Sequence, residues 1–169
     1  MDDSGQECEP GEAGEIWVSG AHNMKEYWNR PDATAETLTP DGWLRTGDVA
    51  SMDEDGCVTI KDRLKDMIIT GGENVCPAEL ENIILGHPDV ADVAVIAQPS
   101  KRWGESPLAV VVSKMESLTE ASILQYCDGK LSRFKQPKGA VFITEIPRNP
   151  SGKVLKRILR EQFPDAAKE

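Results

Sequence analysis

DRLKDMIITGGENVCP, residues 62–77, changes character three times within one short stretch. It opens on the charges Asp62, Arg63, Lys65 and Asp66, with Leu64 among them, and runs into the apolar Met67-Ile68-Ile69. It then meets Thr70-Gly71-Gly72 and closes on Pro77, where a helical pattern begins. Two adjacent glycines after a β-branched run call for a turn at positive φ, or for a backbone that something approaches closely. On its own the stretch reads as a charged linker followed by a β-hairpin. Two other blocks flank it at a distance: Leu44-Arg45-Thr46-Gly47-Asp48 upstream and Pro150-Ser151-Gly152-Lys153 near the end.

The 169 residues suit one domain plus a remainder. A net charge of −10 argues against nucleic acid or an anionic membrane surface as a partner. It leaves nucleotide binding open, because that depends on a few local donors. No apolar run is long enough for a transmembrane segment, and no basic-then-apolar leader is present. Cys8, Cys57, Cys76 and Cys127 are scattered, and neither His22 nor His87 forms a close ligand cluster with them. Reduced thiols, a cytoplasmic location and no metal site within the chain are the expectation.

Ahead of residue 62 the pattern is one of short strands and turns. Residues 15–20 alternate like a half-buried strand, residues 24–28 could form one helical turn, and Asp32 suits the N-cap of a short helix. Asp41-Gly42 and Asp55-Gly56 are turn dipeptides, the second followed by a strand at 57–60. Asp53-Glu54-Asp55 lacks the further ligand positions of a calcium loop and reads as a solvated turn. Beyond residue 66 the reading is α+β, with three strands (90–97, 108–112 and 140–146) and three helices. The first helix starts at Pro77 and ends at Gly86 and Pro88. The second is capped by Ser117 with Glu120 and carries Ile123, Leu124, Cys127, Leu131 and Phe134 on one stripe. The third covers 154–163.

In this order and spacing, the three blocks resemble the AMP-forming acyl-CoA synthetases, a family that also includes luciferases and peptide-synthetase adenylation domains. The resemblance covers the chain from about Gly11 onward, matching the last third or so of a full-length member. It implies an α+β C-terminal lid domain at residues 67–169 and a hinge at 62–66. Residues 1–61 would then be the end of the large domain, a partial β-barrel-like subdomain. Within the family, the K-D-M-I-I-x-G-G-E-N-V-x-P-A-E-L-E and N-P-S-G-K strings are most similar to those of fatty-acyl and aryl-CoA ligases. Ile69 stands where luciferases carry a second functional lysine, and Lys65 where peptide synthetases usually carry aspartate.

The resemblance also implies roles for single residues. Lys153 matches the adenylation lysine: a compact cation on a flexible stem can reach a carboxylate oxygen and an α-phosphate together. Without the family it is a solvated lysine. Asp48 would hold the ribose hydroxyls of ATP or AMP, with Arg63 as its companion at the nucleotide; the bland alternative is a turn aspartate. Lys65 falls on the hinge position. Gly71 and Gly72 would line the tunnel through which the pantetheine of CoA reaches the adenylate, a role compatible with their being hairpin glycines. Arg133, Lys135 and Lys138 are candidates for contacts to CoA phosphates, or form a solvated helix end. Trp103-Gly104-Glu105 recurs in such domains, and Trp103 is expected to pack.

The implied reaction joins a carboxylic acid, a fatty acid in the first instance, to CoA at the expense of ATP. Mg2+ is expected with ATP, its ligands lying outside this chain. No Ser/Thr- and Gly-rich phosphate loop ending in P-K-G occurs in the sequence. The contending reading is therefore a non-catalytic lid that binds nucleotide, CoA or a protein. Ile16, Val18, Val49, Val58 and Ile60 are expected inward residues of an incomplete barrel, so self-association through residues before Asp62 is a further expectation.

Overall fold

The computed structural model describes residues 1, 2 and 4–164. The chain divides into two compact units, Met1–Lys65 and Asp66–Glu169.

The first unit holds an antiparallel three-stranded sheet in the order β1 (Ala13–Val18), β2 (Leu44–Met52), β3 (Val58–Arg63). A short helix, α1 (Pro31–Thr37), precedes β2. Pro31 takes its first turn, so Arg30 rather than Asp32 is the N-cap. Residues 24–28 form no helix. The sheet is open, not a closed barrel. Of the residues expected to face inward, Val49 is buried, Ile16 and Val18 are partly covered, and Val58 and Ile60 are exposed. Among the described residues no second sheet covers these three strands.

In β1–β2 the register breaks where it matters for the site. Between Glu15 and Trp17 the chain of β1 advances two residues, while the partner advances four, from Val49 to Arg45. The two extra residues bulge out of β2 at Thr46-Gly47-Asp48, and Gly47 takes φ +72 there, a conformation that favours glycine.

The second unit is α+β. Its sheet runs β5 (Glu73–Val75), β4 (Ile68–Thr70), β7 (Gly104–Ser113), β6 (Val90–Ser100), and β8 (Gly139–Phe142) pairs parallel with β7. The expected three strands are β6, β7 and β8, the last ending at Phe142 rather than at 146, and the glycine hairpin adds two more by pairing Thr70 with Gly104. The two-residue turn has φ +61 at Gly71 and +86 at Gly72, the geometry of a type I′ hairpin.

β6 and β7 read as nearly unbroken apolar runs because both sheet faces are covered. Val93, Val95, Ala109 and Val111 face the side packed by α2 (Pro77–Leu85) and α3 (Glu120–Cys127), through Leu80, Ile84, Ile123 and Cys127. Ala94, Ile96, Leu108 and Val110 face the side that packs Ile146 and Leu159, the latter on α4 (Lys156–Gln162). Burial pushes the Cys127 thiol above its ordinary range, as suits an unreactive core cysteine.

Two helix boundaries differ from the sequence reading. The cap of α3 is Thr119, whose hydroxyl accepts from the Ser122 amide, and the Glu120 carboxylate instead accepts from Ala140 N on β8 at 3.2 Å. The helix stops at Cys127, and Gly129 turns the chain at φ +74. Leu131 is nevertheless buried with the core, whereas Phe134 remains partly exposed.

β6 is an edge strand, and two of its amides are bonded by side chains. Val93 N donates to Asp92 Oδ1 at 2.9 Å, and Val95 N donates to Glu81 Oε1 at 2.8 Å. The same Glu81 oxygen pairs with Lys156 Nζ at 2.9 Å, and the Lys156 side chain is only 12% exposed. Side-chain bonds of this kind disfavour addition of a further strand at these positions. They also make Glu81 the acceptor for a covered cation and a backbone amide at once. Glu81→Ala is expected to destabilise the second unit by about 2–3 kcal/mol in urea titration, through two donors left without an acceptor. A loss below about 0.5 kcal/mol would show that water replaces the carboxylate freely.

Candidate functional site

The residues singled out in the sequence fall into three groups, described within their own units.

In the first unit the bulge aims Asp48 at Arg63. The two are directly opposed across β2 and β3, and Arg63 Nε meets Asp48 Oδ1 at 2.8 Å. The bulge is held from below by side chains. Thr46 Oγ1 donates to Ile16 O at 2.8 Å, Gly47 N donates to Glu15 Oε1 at 2.9 Å, and Asp48 N donates to Thr46 Oγ1 at 3.1 Å. Glu15 also accepts from Trp17 Nε1 at 2.7 Å, and the Arg45 guanidinium stacks on Trp17 at 4.7 Å. At this exposure the ion pair itself adds little stability. What it supplies is a carboxylate and a guanidinium fixed side by side at the surface, suited to a ribose diol beside a phosphate.

Lys65 lies in a single 3-10 turn, Leu64–Asp66. Its neighbours are tied down on either side. Arg63 is bound to Asp48 in the first unit, and Asp66 Oδ1 accepts from Arg160 on α4 at 2.7 Å in the second. Leu64 and Lys65 are both exposed.

In the second unit, Lys153 sits in a tight loop organised by Asn149, to which the sequence reading gave no role of its own. Asn149 Oδ1 accepts from Ser151 N, Ser151 Oγ and Lys153 N at 3.0, 2.8 and 2.8 Å. Asn149 N donates to Lys153 O at 2.9 Å, and Gly152 adopts φ +83. The signal was present, since asparagine ahead of Pro-Ser-Gly is well suited to bonding the backbone two residues on. Arg148 and Asp92, which brace the same loop, are 56 residues apart and carried no local signal. The Lys153 side chain is exposed.

The glycines differ in their surroundings. A Cβ on Gly71 would lie 3.0 Å from Trp103 Cε3, while one on Gly72 would meet nothing within 4 Å. Gly71 N donates to Trp103 O at 2.8 Å, and Ile69 N donates to Glu105 Oε2 at 2.9 Å. Trp103 therefore packs on the turn, as expected, while remaining partly exposed with Arg102 stacked at 4.6 Å. Gly71 makes room for the indole, and Gly72 presents bare backbone.

The three basic residues do not act as one free cluster. Lys135 Nζ pairs with Glu79 Oε2 at 2.7 Å, so its charge is largely matched. Lys138 Nζ donates to Arg133 O at 3.3 Å. Its ammonium is less basic than usual, through partial burial first and the Arg133 charge second. Arg133 is exposed. Among the described residues no three acidic, histidine or cysteine side chains converge as metal ligands.

Residues 79–153 match the model of the AMP-binding enzyme C-terminal domain. The chain is 50% identical over 161 residues to the long-chain-fatty-acid–CoA ligase FadD13 of Mycobacterium tuberculosis, covering 95% of this chain and 32% of that protein. It is 49% identical over 161 residues to a feruloyl-CoA synthase of Amycolatopsis, covering 95% of this chain and 33% of that one. Among solved structures, the ATP-bound MatB of Rhodopseudomonas palustris superposes with a TM-score of 0.91 at 42% identity, over 99% of this chain and 33% of MatB. The chain thus spans about a third of the length of the relatives it matches. By this match and these relatives, the chain belongs to the AMP-binding enzymes of the adenylate-forming superfamily, as a C-terminal portion that carries their C-terminal domain.

Proposed function

We propose that this chain is the lid and part of the nucleotide shelf of an AMP-forming acid–CoA ligase. The observation that carries the reading is the presentation of Lys153 and of bare Gly72 backbone as two separately braced loops of one small unit. In the first half-reaction a carboxylate oxygen bonds to the α-phosphorus of ATP, and the bond to pyrophosphate breaks. Lys153 would neutralise the charge that gathers on those oxygens. Asp48 would hold the ribose hydroxyls, with Arg63 fixed beside it. In the second half-reaction the CoA sulfur bonds to the same carbonyl carbon and AMP leaves, with pantetheine passing the Gly72 backbone. The atom attacked is phosphorus in the first step and the acyl carbon in the second, so the two steps need different groups around the carboxyl. The exposed 3-10 turn at Lys65, with Arg63 and Asp66 each anchored, is the place where a change of φ and ψ would exchange them. Of the basic residues, Arg133 and Lys138 remain proposed contacts for CoA phosphates, whereas Lys135 is assigned to its pair with Glu79.

A fatty acid is the proposed substrate, supported by the similarity to FadD13; the similarity to a feruloyl-CoA synthase makes aryl acids the competitor. Magnesium would accompany ATP, and no step here is assigned to it.

The reading predicts that the 169-residue chain by itself catalyses no ATP–pyrophosphate exchange with fatty or aryl acids. Without a phosphate loop in the sequence, the triphosphate lacks the cradle that sets its geometry. Exchange above background in the purified chain would overturn it. Binding of AMP or CoA without exchange would favour the lid acting as a binding module.

A further inference from the structure

We propose that Asp92, acting through Arg148, is a positioning residue for Lys153; the inference rests on the adenylation role given to Lys153 above. Arg148 spans from the sheet to the loop. Its Nη2 donates to both Asp92 oxygens at 3.0 and 2.8 Å, and its Nη1 donates to the Gly152 carbonyl at 3.0 Å. The peptide joining Gly152 to Lys153 is then held at both polar groups, because its N–H donates to Asn149 Oδ1 at 2.8 Å. A peptide is planar, so fixing its carbonyl and its N–H fixes the plane. That restricts the direction in which the Lys153 Cα–Cβ bond leaves the loop. The next peptide is fixed in turn by Asn149 N on Lys153 O.

The origin of the brace is rigid. Asp92 lies on β6, which is packed on both faces, and its Oδ1 also accepts from Val93 N. As a stabilising ion pair the contact is poorly placed, since both side chains are more than a third exposed. As a strut it is well placed. A lysine stem has several rotatable bonds, and its ammonium searches a smaller volume when the backbone from which it springs is fixed. Lysine at position 148 could not replace arginine, because one ammonium cannot fork between the Asp92 carboxylate and the Gly152 carbonyl in the same way.

The test uses Arg148→Ala, Arg148→Lys and the conservative Asp92→Glu, with two readouts. In the 169-residue chain, amide hydrogen exchange at Lys153 and Ser151 is compared with exchange at the core amides of Ala94 and Ile96. Arg148→Ala is expected to speed exchange at Lys153 by about tenfold with the core amides unchanged, and Asp92→Glu to behave like the parent. In the ligase that carries this segment, adenylation kcat is expected to fall about tenfold at unchanged KM for ATP, while thiolysis of supplied acyl-adenylate is unaffected. Arg148→Lys should follow alanine in both readouts. Unchanged exchange at Lys153, or exchange that rises together with the core amides, would overturn the strut. If Lys153→Ala slows adenylation in the same ligase but Arg148→Ala does not, positioning is refuted and the role of Lys153 stands. If Lys153→Ala has no effect on adenylation either, it is the functional reading that fails, and the positioning role fails with it.

Discussion

Lys153→Ala, in the ligase that carries this segment, is expected to slow acyl-adenylate formation by roughly a hundred- to a thousandfold. The magnitude is that of one preorganised contact to charge that develops only in the transition state, about 3–4 kcal/mol. The loss should appear in kcat more than in KM, because ground-state ATP binding would rest on Asp48, Arg63 and groups outside this chain. The fold itself should be untouched: the Lys153 side chain is exposed, and the loop is built from Asn149 and backbone groups that alanine leaves in place. Thiolysis of supplied acyl-adenylate should be nearly unchanged. Following pyrophosphate exchange and thioester formation separately checks both halves, and equal loss in the two would count against an adenylation-specific lysine.

Gly72→Leu should produce the opposite pattern. Its backbone has φ +86, where a branched side chain is strained by about 1–2 kcal/mol, so some loss of stability at the hairpin is expected. The larger effect lies elsewhere. A Cβ at Gly72 meets nothing in the protein, so the leucine would occupy the open space where pantetheine is proposed to pass. Thioester formation should fall at least about a hundredfold, the cost of misplacing a reacting group by an ångström or so. Pyrophosphate exchange should persist. Gly71→Ala serves as a comparison, because its new methyl would press on Trp103 at 3.0 Å and distort the turn without entering that space. If both glycine variants lose activity in parallel with hairpin stability, the turn is structural only.

Much of this arrangement was legible in the sequence, for local reasons. Paired glycines after Met67-Ile68-Ile69 allow few turns, and they form the expected hairpin. Pro77 fixes the start of α2, and the unbroken apolar runs of β6 and β7 mark strands covered on both faces. What the sequence concealed depends on pairing at long range. That the hairpin joins the central sheet follows from one pairing of Thr70 with Gly104, and no pattern in either segment announces it. The second helix read too long because Leu131 keeps the apolar spacing after the backbone has left the helix at Asp128. Lys153 and Asp48 are proposed from their motifs, whereas Glu15 and the Asp92–Arg148 pair make contacts 32 and 56 residues away in sequence. The pairing of Lys135 with Glu79, 56 residues upstream, was hidden for the same reason. The residues proposed to do chemistry sit in recognisable strings, while the residues that contact them across the fold do not.

The central claim is that one small unit serves two reactions through two different loops. Single-turnover rates of both half-reactions, measured in the same ligase with Lys153→Ala and with Gly72→Leu, test it most directly. The account predicts a crossed result: the first variant is slow in adenylation and normal in thiolysis, the second normal in adenylation and slow in thiolysis. Two variants that each lose both half-reactions to the same degree would contradict it.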